Sequence, residues 1–174
     1  ESALVANNVL LAVACFVVFV GTMWPLVAEM FFDRKLSVGA PFFNTAFTPF
    51  MVLLGAIMPI GAMLPWKRAR LGRVLRQLVP AFVLALAIGC LTFVIQSERS
   101  LLGPIGLFLG AWLVSGALTD LYGRTGRGSV GKRLSRLGRL PRADWGKSVA
   151  HAGFGITMLG IAGLTAWEQE DIRV

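Results

Sequence analysis

Five long apolar stretches, separated by polar and charged segments, make up most of the chain. They cover about residues 5–30, 47–66, 79–96, 102–121 and 144–167. Each is close to or above the ~20 residues that an α-helix needs to cross a ~30 Å hydrocarbon core. Stretches of this length do not fit the short, alternating strands of a membrane barrel. The pattern predicts an all-α, polytopic membrane helix bundle of about five transmembrane helices, with residues 1–174 in a single membrane domain.

Two of the prolines within the apolar stretches bear on the shape of the predicted helices. Pro59 falls inside the second stretch and predicts a kink, which neighbouring helices can tolerate in a membrane. Pro80 falls at the predicted start of the third stretch, in the first turn, where its missing N–H costs least. Both prolines are therefore compatible with helices at these positions.

The composition supports a membrane protein. Hydrophobic residues make up 56% of the chain and charged residues 15%, and the mean hydropathy is +0.71. A soluble domain carries about 25% charged residues. The chain begins at Glu1, without an initiator Met and without the charge pattern of a signal peptide. We therefore expect it to be a fragment of a larger bundle.

Most of the basic residues lie in two of the segments between the apolar stretches. Thirteen of the 17 Lys and Arg fall between the second and third stretches or between the fourth and the early part of the fifth. The positive-inside rule then makes loops 67–78 and 122–143 cytoplasmic. Loops 31–46 and 97–101 lie on the outer side. The N-terminus is then cytoplasmic and the C-terminus lies outside.

The same basic segments also indicate what kind of partner the chain binds. Residues 71–78 and 130–140 place apolar residues at helical spacing among the cations, which is typical of short amphipathic helices on an anionic membrane surface. For 130–140 a flexible, solvated loop is an equally good interpretation. Nucleic-acid binding is not expected, because the basic loops almost lack the aromatic residues that stack on bases. Membrane lipid is the partner that the charge predicts.

Glycines recur in the last two apolar stretches. Gly106 and Gly110 have the spacing that allows two membrane helices to approach closely, and we interpret it as a packing motif. Small residues also surround position 151, among them Gly153 and Gly155. They predict room beside that position for a flat, bulky group.

His151 is the only histidine in the chain and lies within the fifth apolar stretch. An ionisable group at bilayer depth is costly, so it is by default a candidate functional residue. Imidazole is a common axial ligand of haem iron. From the residues alone, ligand binding, proton transfer and helix packing all remain open for His151.

The outer segment from Trp24 to Phe47 is rich in proline, glycine and aromatic residues. This composition predicts a structured re-entrant or interfacial segment and not a plain tether. Its aromatic residues fit an anchoring belt at the membrane interface, or a docking surface for a partner. We take Thr22, Trp24, Pro25 and Asn44 as candidate functional residues of the outer side.

Several blocks of sequence, taken together, resemble one known family. They are residues 1–8, Gly21-Thr-Met-Trp-Pro-Leu26, Lys35-Leu-Ser-Val-Gly-Ala-Pro-Phe-Phe-Asn44, Trp145-Gly-Lys-Ser-Val-Ala-His151 and Glu170-Asp-Ile-Arg-Val174. In this order they are similar to a C-terminal membrane portion of the CcmF/NrfE family of bacterial cytochrome c haem lyases. The resemblance implies a component of the bacterial inner membrane that helps attach haem to the Cys-x-x-Cys-His motif of apocytochrome c in the periplasm.

The resemblance also implies cofactors and partners. Haem is the substrate, delivered by a haem chaperone, and thiol-handling maturation subunits present the apocytochrome c. His151, through its Trp-Gly-…-His context, matches an axial ligand of a b-type haem that helps keep the substrate iron reduced. His151 lies ~9 Å beyond Trp145 along a helix, in the cytoplasmic half of the membrane.

Two departures limit what the resemblance implies. The family commonly has Thr-Leu-Tyr-Pro where this chain has Thr22-Met-Trp24-Pro25. The tryptophan-rich haem-handling loop and the second intramembrane histidine are absent from the chain. We therefore expect the second axial ligand outside this chain, assign no catalytic residue, and expect the fragment alone to be inactive. The alternative is a non-catalytic transporter or assembly subunit, with His151 as a packing or proton-handling residue.

Overall fold

The structure is a computed structural model that describes residues 2–64, 71–96, 101–126 and 128–167. The helices are α1 (Ser2–Phe32), α2 (Ala40–Ala46), α3 (Thr48–Met63), α4 (Leu71–Ile95), α5 (Leu102–Arg124), α6 (Val130–Leu137) and α7 (Arg142–Trp167). The described ranges contain no β-strand. The predicted all-α fold is confirmed.

Each of the five predicted spans overlaps a helix. Four of these helices, α1, α4, α5 and α7, are long and apolar enough to cross a membrane. The second predicted span corresponds to α3, which is apolar but has 16 residues. At 1.5 Å per residue α3 is about 24 Å long, shorter than a ~30 Å hydrocarbon core. The chain is thus a polytopic helical membrane protein, as predicted.

Helix α4 begins earlier than the third apolar stretch predicts. Its first residue is Leu71, so residues 71–78 of the predicted cytoplasmic loop are helical, whereas residues 67–70 lie outside the described ranges. The reason is that Val74 and Leu78 continue the buried face of the helix. The prediction that Pro80 lies in the first turn is therefore wrong. Pro80 lies inside α4 and removes the amide that would bond to the carbonyl of Arg76.

The predicted loops contain further short helices. Helix α2 lies within 31–46, and Pro41 lies in its first turn. Helix α6 lies within 122–143, so the helical interpretation of residues 130–140 holds for Val130–Leu137 and the flexible-loop interpretation does not. Of the predicted outer loop 97–101, only residue 101 is described, and residues 170–174 of the resemblance also lie outside the described ranges.

The chain divides into two compact units, Glu1–Ile57 and Met58–Val174. In the first unit, α2 packs closely on α1 at Gly21. A Cβ on Gly21 would lie 2.7 Å from the ring of Phe42 and 3.0 Å from that of Phe43. The two rings meet edge to face, with centroids 5.3 Å apart. Glycine at position 21 is what allows this approach.

In the second unit, α5 lies between α4 and α7 and is the most buried helix. On the α4 side, the ring of Phe82 meets both Phe108 and Trp112 edge to face, with centroids 5.7 Å apart in each pair. On the α7 side the helix backbones are in close contact, because α5 presents glycines there.

The glycine motif of α5 packs against α7. A Cβ on Gly106 would lie 2.5 Å from the Cβ of Ala162, and one on Gly110 would lie 2.8 Å from the carbonyl oxygen of Gly155. These distances leave no space for a side chain at either glycine. The interpretation of Gly106-x-x-x-Gly110 as a packing motif is supported by this contact.

Candidate functional site

His151 lies on α7, half-buried at the edge of the face that packs on α5. Its Nδ1 atom is 2.7 Å from the carbonyl oxygen of Lys147, one helical turn earlier. A carbonyl oxygen only accepts hydrogen bonds, so Nδ1 must carry the proton. The neutral ring then has its lone pair on Nε2. This is the arrangement in which protein imidazoles bind metals.

A small cavity lies beside the ring of His151. Its volume is about 10 Å³, and its walls include Pro59, Asp120, Lys147 and Ser148. That volume is about the space needed for one water molecule. The Oγ atom of Ser148 is buried there and has no hydrogen-bond partner among the described residues. A macrocycle cannot enter a space of this size.

An ion cluster forms the base of the cavity. The carboxylate of Asp120, whose side chain is 8% exposed, lies 2.6 Å from the Nζ atom of Lys147 and 3.2 Å from the Nε atom of Arg124. Arg124 also reaches Asp144, at 2.6 Å. The two acidic and two basic groups balance, which reduces the cost of removing Asp120 from water.

The same cluster joins three helices. Asp120 and Arg124 belong to α5, whereas Asp144 and Lys147 belong to α7. The Nζ atom of Lys147 also donates to the carbonyl oxygen of Ala62, near the end of α3, at 2.8 Å. Lys147 is therefore held by its side chain, while its own carbonyl holds the imidazole of His151. The cluster fixes the turn of α7 on which the histidine depends.

Sequence reasoning missed this cluster. The spacing of Asp120 and Arg124, four residues apart on one helix, was a readable signal. Only the packing of α5 on α7, however, places Lys147 against the carboxylate.

The prediction that small residues leave room beside His151 needs correction. Gly155 lies on the same face of α7, but a Cβ there would be 2.9 Å from the carbonyl oxygen of Gly110, so the space is filled by α5. Gly153 faces open space, yet residues two apart point about 200° apart around a helix. Neither glycine therefore makes room beside the imidazole.

The b-type haem implied by the resemblance can be tested against these residues. The donor fits, because the hydrogen bond at Nδ1 orients the ring and leaves Nε2 as the atom that could bind iron. The described residues contain no group of three or more His, Cys, Asp or Glu that could hold a bare metal ion. A haem needs only one or two protein ligands, since its macrocycle supplies the others. It would have to lie against the exposed side of the ring, outside the small cavity.

The other candidate residues lie in the first unit, on helices and not in a loop. Thr22, Trp24 and Pro25 are part of α1, which continues to Phe32, and Asn44 is part of α2. The hydroxyl of Thr22 donates to the backbone carbonyl of Val18, at 2.8 Å. The ring of Trp24 is half exposed. Positions 22–25 fall within the predicted span 5–30, where α1 accommodates Pro25, whereas Asn44 belongs to a helix inside the predicted loop 31–46.

Comparison with known proteins finds relatives along the whole chain. A cytochrome c-type biogenesis protein of Rhodobacter capsulatus is 56% identical over 174 residues, which is 100% of this chain and 26% of the relative. The cytochrome c-type biogenesis protein CycK of Bradyrhizobium diazoefficiens is 44% identical, over 99% of this chain and 26% of the relative. CcmF of Escherichia coli is 33% identical, over 93% of this chain and 24% of the relative.

The chain thus spans about a quarter of the length of the curated relatives that it matches. No family model matches the chain. No solved structure matches it either.

Proposed function

Because this chain belongs to the family of cytochrome c-type biogenesis proteins, we propose that it is a membrane part of a cytochrome c haem lyase and holds a b-type haem through His151. The observation that carries the proposal is the hydrogen bond between Nδ1 of His151 and the carbonyl oxygen of Lys147. It orients the ring so that Nε2 is the nitrogen available as a ligand atom.

The residues around His151 support a ligand role. The carbonyl of Lys147 fixes the tautomer and orientation of the ring and makes it a stronger donor. The pairing of Lys147 with Asp120 and Ala62 limits the movement of that turn of α7. The bound haem would supply one-electron chemistry, which keeps the iron of the substrate haem reduced. The residues of this chain would only bind and orient the b haem.

The remaining parts of the activity belong to the longer protein. Thioether formation with the Cys-x-x-Cys-His motif of apocytochrome c would take place on the periplasmic side of the bacterial inner membrane, and a second protein ligand of the b haem would come from outside this chain. On the periplasmic side, the longer protein would have the haem chaperone and the thiol-handling subunits as its partners. Thr22, Trp24, Pro25 and Asn44 are our candidates for contacts with them.

The test is an absorption spectrum of the full-length protein, purified with and without His151→Ala. We expect the variant to lose the Soret and visible bands of a low-spin b haem. A His151→Gly variant should regain them when free imidazole is added, because imidazole can occupy the vacated position. Ser148→Ala, which alters the same cavity wall without removing a ligand, is the control. Unchanged low-spin bands in His151→Ala would end the proposal.

A second function is favoured by the ion pair of Asp120 and Lys147, which lines the same cavity as His151. In a non-catalytic transporter or assembly subunit, these groups and the imidazole would handle protons. His151→Ala and Asp120→Asn would then both stop function while leaving the haem spectrum unchanged. In a haem lyase, by contrast, His151→Ala would remove the b haem and with it the haem spectrum.

A further inference from the structure

Helix α6 (Val130–Leu137) has an apolar side and a basic side. Val130, Leu134 and Leu137 share one side of the helix, and Lys132, Arg133 and Arg136 share another. Val130 is 70% exposed and Leu134 is 67% exposed. A short helix of this kind is typical of a membrane surface, where the apolar side enters the lipid and the cations meet the headgroups.

The ends of α5 and α7 hold α6 in place. Arg136 donates to the carbonyl of Thr125 at 3.1 Å, and the indole of Trp145 donates to the carbonyl of Leu137 at 3.1 Å. The guanidinium of Arg133 lies 4.2 Å from the centre of the ring of Tyr122. Because α5 and α7 are long and apolar enough to cross a membrane, these contacts place α6 at the level of the membrane surface.

An open groove lies between α6 and the end of α5. It is lined by Leu118, Thr119, Leu121, Tyr122 and Leu137, and its surface is mostly apolar. Leu118 and Tyr122 are each at least half exposed. A groove of this shape and composition suits an acyl chain.

One cation, Arg133, stands at the edge of this groove. Arg133 lies over Tyr122, and its Nε atom is buried without a hydrogen-bond partner among the described residues. Lys132, next to it, is exposed. Residues 121–142 contain no Asp or Glu, so every charged side chain of that segment is basic. An anionic group bound at this edge would meet the guanidinium of Arg133 with no acidic residue of the same segment to compete with it.

We propose that this groove binds an anionic phospholipid of the surrounding membrane, with its phosphate at Arg133 and Lys132 and an acyl chain along Leu118 and Leu121. A planar guanidinium binds a phosphate with two parallel hydrogen bonds. A phospholipid explains the cations and the apolar groove together, whereas a free anion explains only the cations. The site does not depend on the haem or on His151.

The test measures binding of fluorescent phosphatidylglycerol and phosphatidylcholine to the full-length protein in neutral detergent. Lys132→Gln combined with Arg133→Gln should weaken phosphatidylglycerol binding about 30-fold, at about 1 kcal/mol for each cation near the surface. Phosphatidylcholine should bind weakly to both proteins. The matched control is Arg73→Gln with Arg76→Gln, which removes two exposed cations from α4 and should change binding less than twofold.

Three outcomes would overturn the proposal. Equal weakening in the two double variants would show general charge attraction and no site. Competition by glycerol phosphate or inorganic phosphate as strong as that by phosphatidylglycerol would show a free-anion site. A polypeptide that cross-links to the groove and excludes the lipid would show a protein interface. Thermal unfolding of each variant checks that the fold is unchanged. Leu118→Ser should weaken the binding of phosphatidylglycerol but leave the binding of the soluble anions unchanged.

Discussion

At the scale of single residues, the carbonyl of Lys147 determines what the imidazole of His151 can do. A backbone carbonyl one turn away accepts the hydrogen bond that Nδ1 donates, which leaves Nε2 as the acceptor or ligand atom. The acceptor belongs to the backbone, so no side-chain change at position 147 removes it. The side chain of Lys147 serves a separate purpose, since it joins Asp120 and the end of α3.

Lys147→Met should therefore leave the haem spectrum of the full-length protein intact while lowering its stability. The methionine keeps the helix and the carbonyl but leaves Asp120 with Arg124 as its remaining cation. We expect a normal low-spin spectrum together with a lower midpoint of thermal unfolding. Loss of the spectrum in a variant that still folds would show that the ammonium group itself takes part in binding.

Asp120→Asn should destabilise the protein by about 1–3 kcal/mol. Loss of a partner from a fully buried pair costs about 3–5 kcal/mol, but Lys147 and Arg124 are partly exposed, so water screens part of the loss. Asp144→Asn is the matched control and should cost less, because the side chain of Asp144 is 25% exposed and has one cationic partner. Denaturant titration of the full-length protein in detergent measures both. An equal effect of the two variants would contradict the central position of Asp120.

At the scale of helices, the contact between α5 and α7 depends on residues without side chains. Gly106 and Gly110 place the backbone of α5 against Ala162 and Gly155. The sequence predicted a close approach from the spacing of the two glycines. It did not identify the partner helix, because the motif is equally compatible with any small-residue face in the bundle.

Gly106→Ala should destabilise the protein by about 1–3 kcal/mol, the usual cost of overfilling a packed contact. The added methyl would lie 2.5 Å from the Cβ of Ala162, so the helices must separate. Gly160→Ala on α7 is the matched control, since nothing lies within 4 Å of its added methyl. That variant should be neutral or slightly stabilising because alanine favours helix. Thermal unfolding compares the two, and equal midpoints would contradict the close contact.

Helix boundaries show the limit of hydropathy alone. The third apolar stretch predicted a helix from about residue 79, whereas α4 begins at Leu71. Arg73 and Arg76 lower the mean hydropathy there, yet Val74 and Leu78 remain on the buried face. A basic amphipathic turn can continue a membrane helix when its apolar side finds a packing partner.

At the scale of the whole molecule, the two basic segments predict the orientation in the membrane. We expect a membrane-impermeant thiol reagent to label Ser37→Cys in intact cells, and Ser135→Cys only after the membrane is opened. Both positions are exposed. Cys15 and Cys90 are replaced by serine in the background. Labelling of Ser135→Cys in intact cells would reverse the predicted orientation.

The order of the apolar stretches by itself determined the all-α membrane fold, because the length and composition of a helix decide whether it can cross a bilayer. A lone histidine in an apolar stretch also marked the candidate site. Only the tertiary structure decided that Asp120 and Lys147 share a cavity wall with His151, since they come from helices whose contact no local pattern specifies. It also showed that Gly155 packs on α5, so a haem held by His151, as we propose, would lie against the exposed flank of the imidazole.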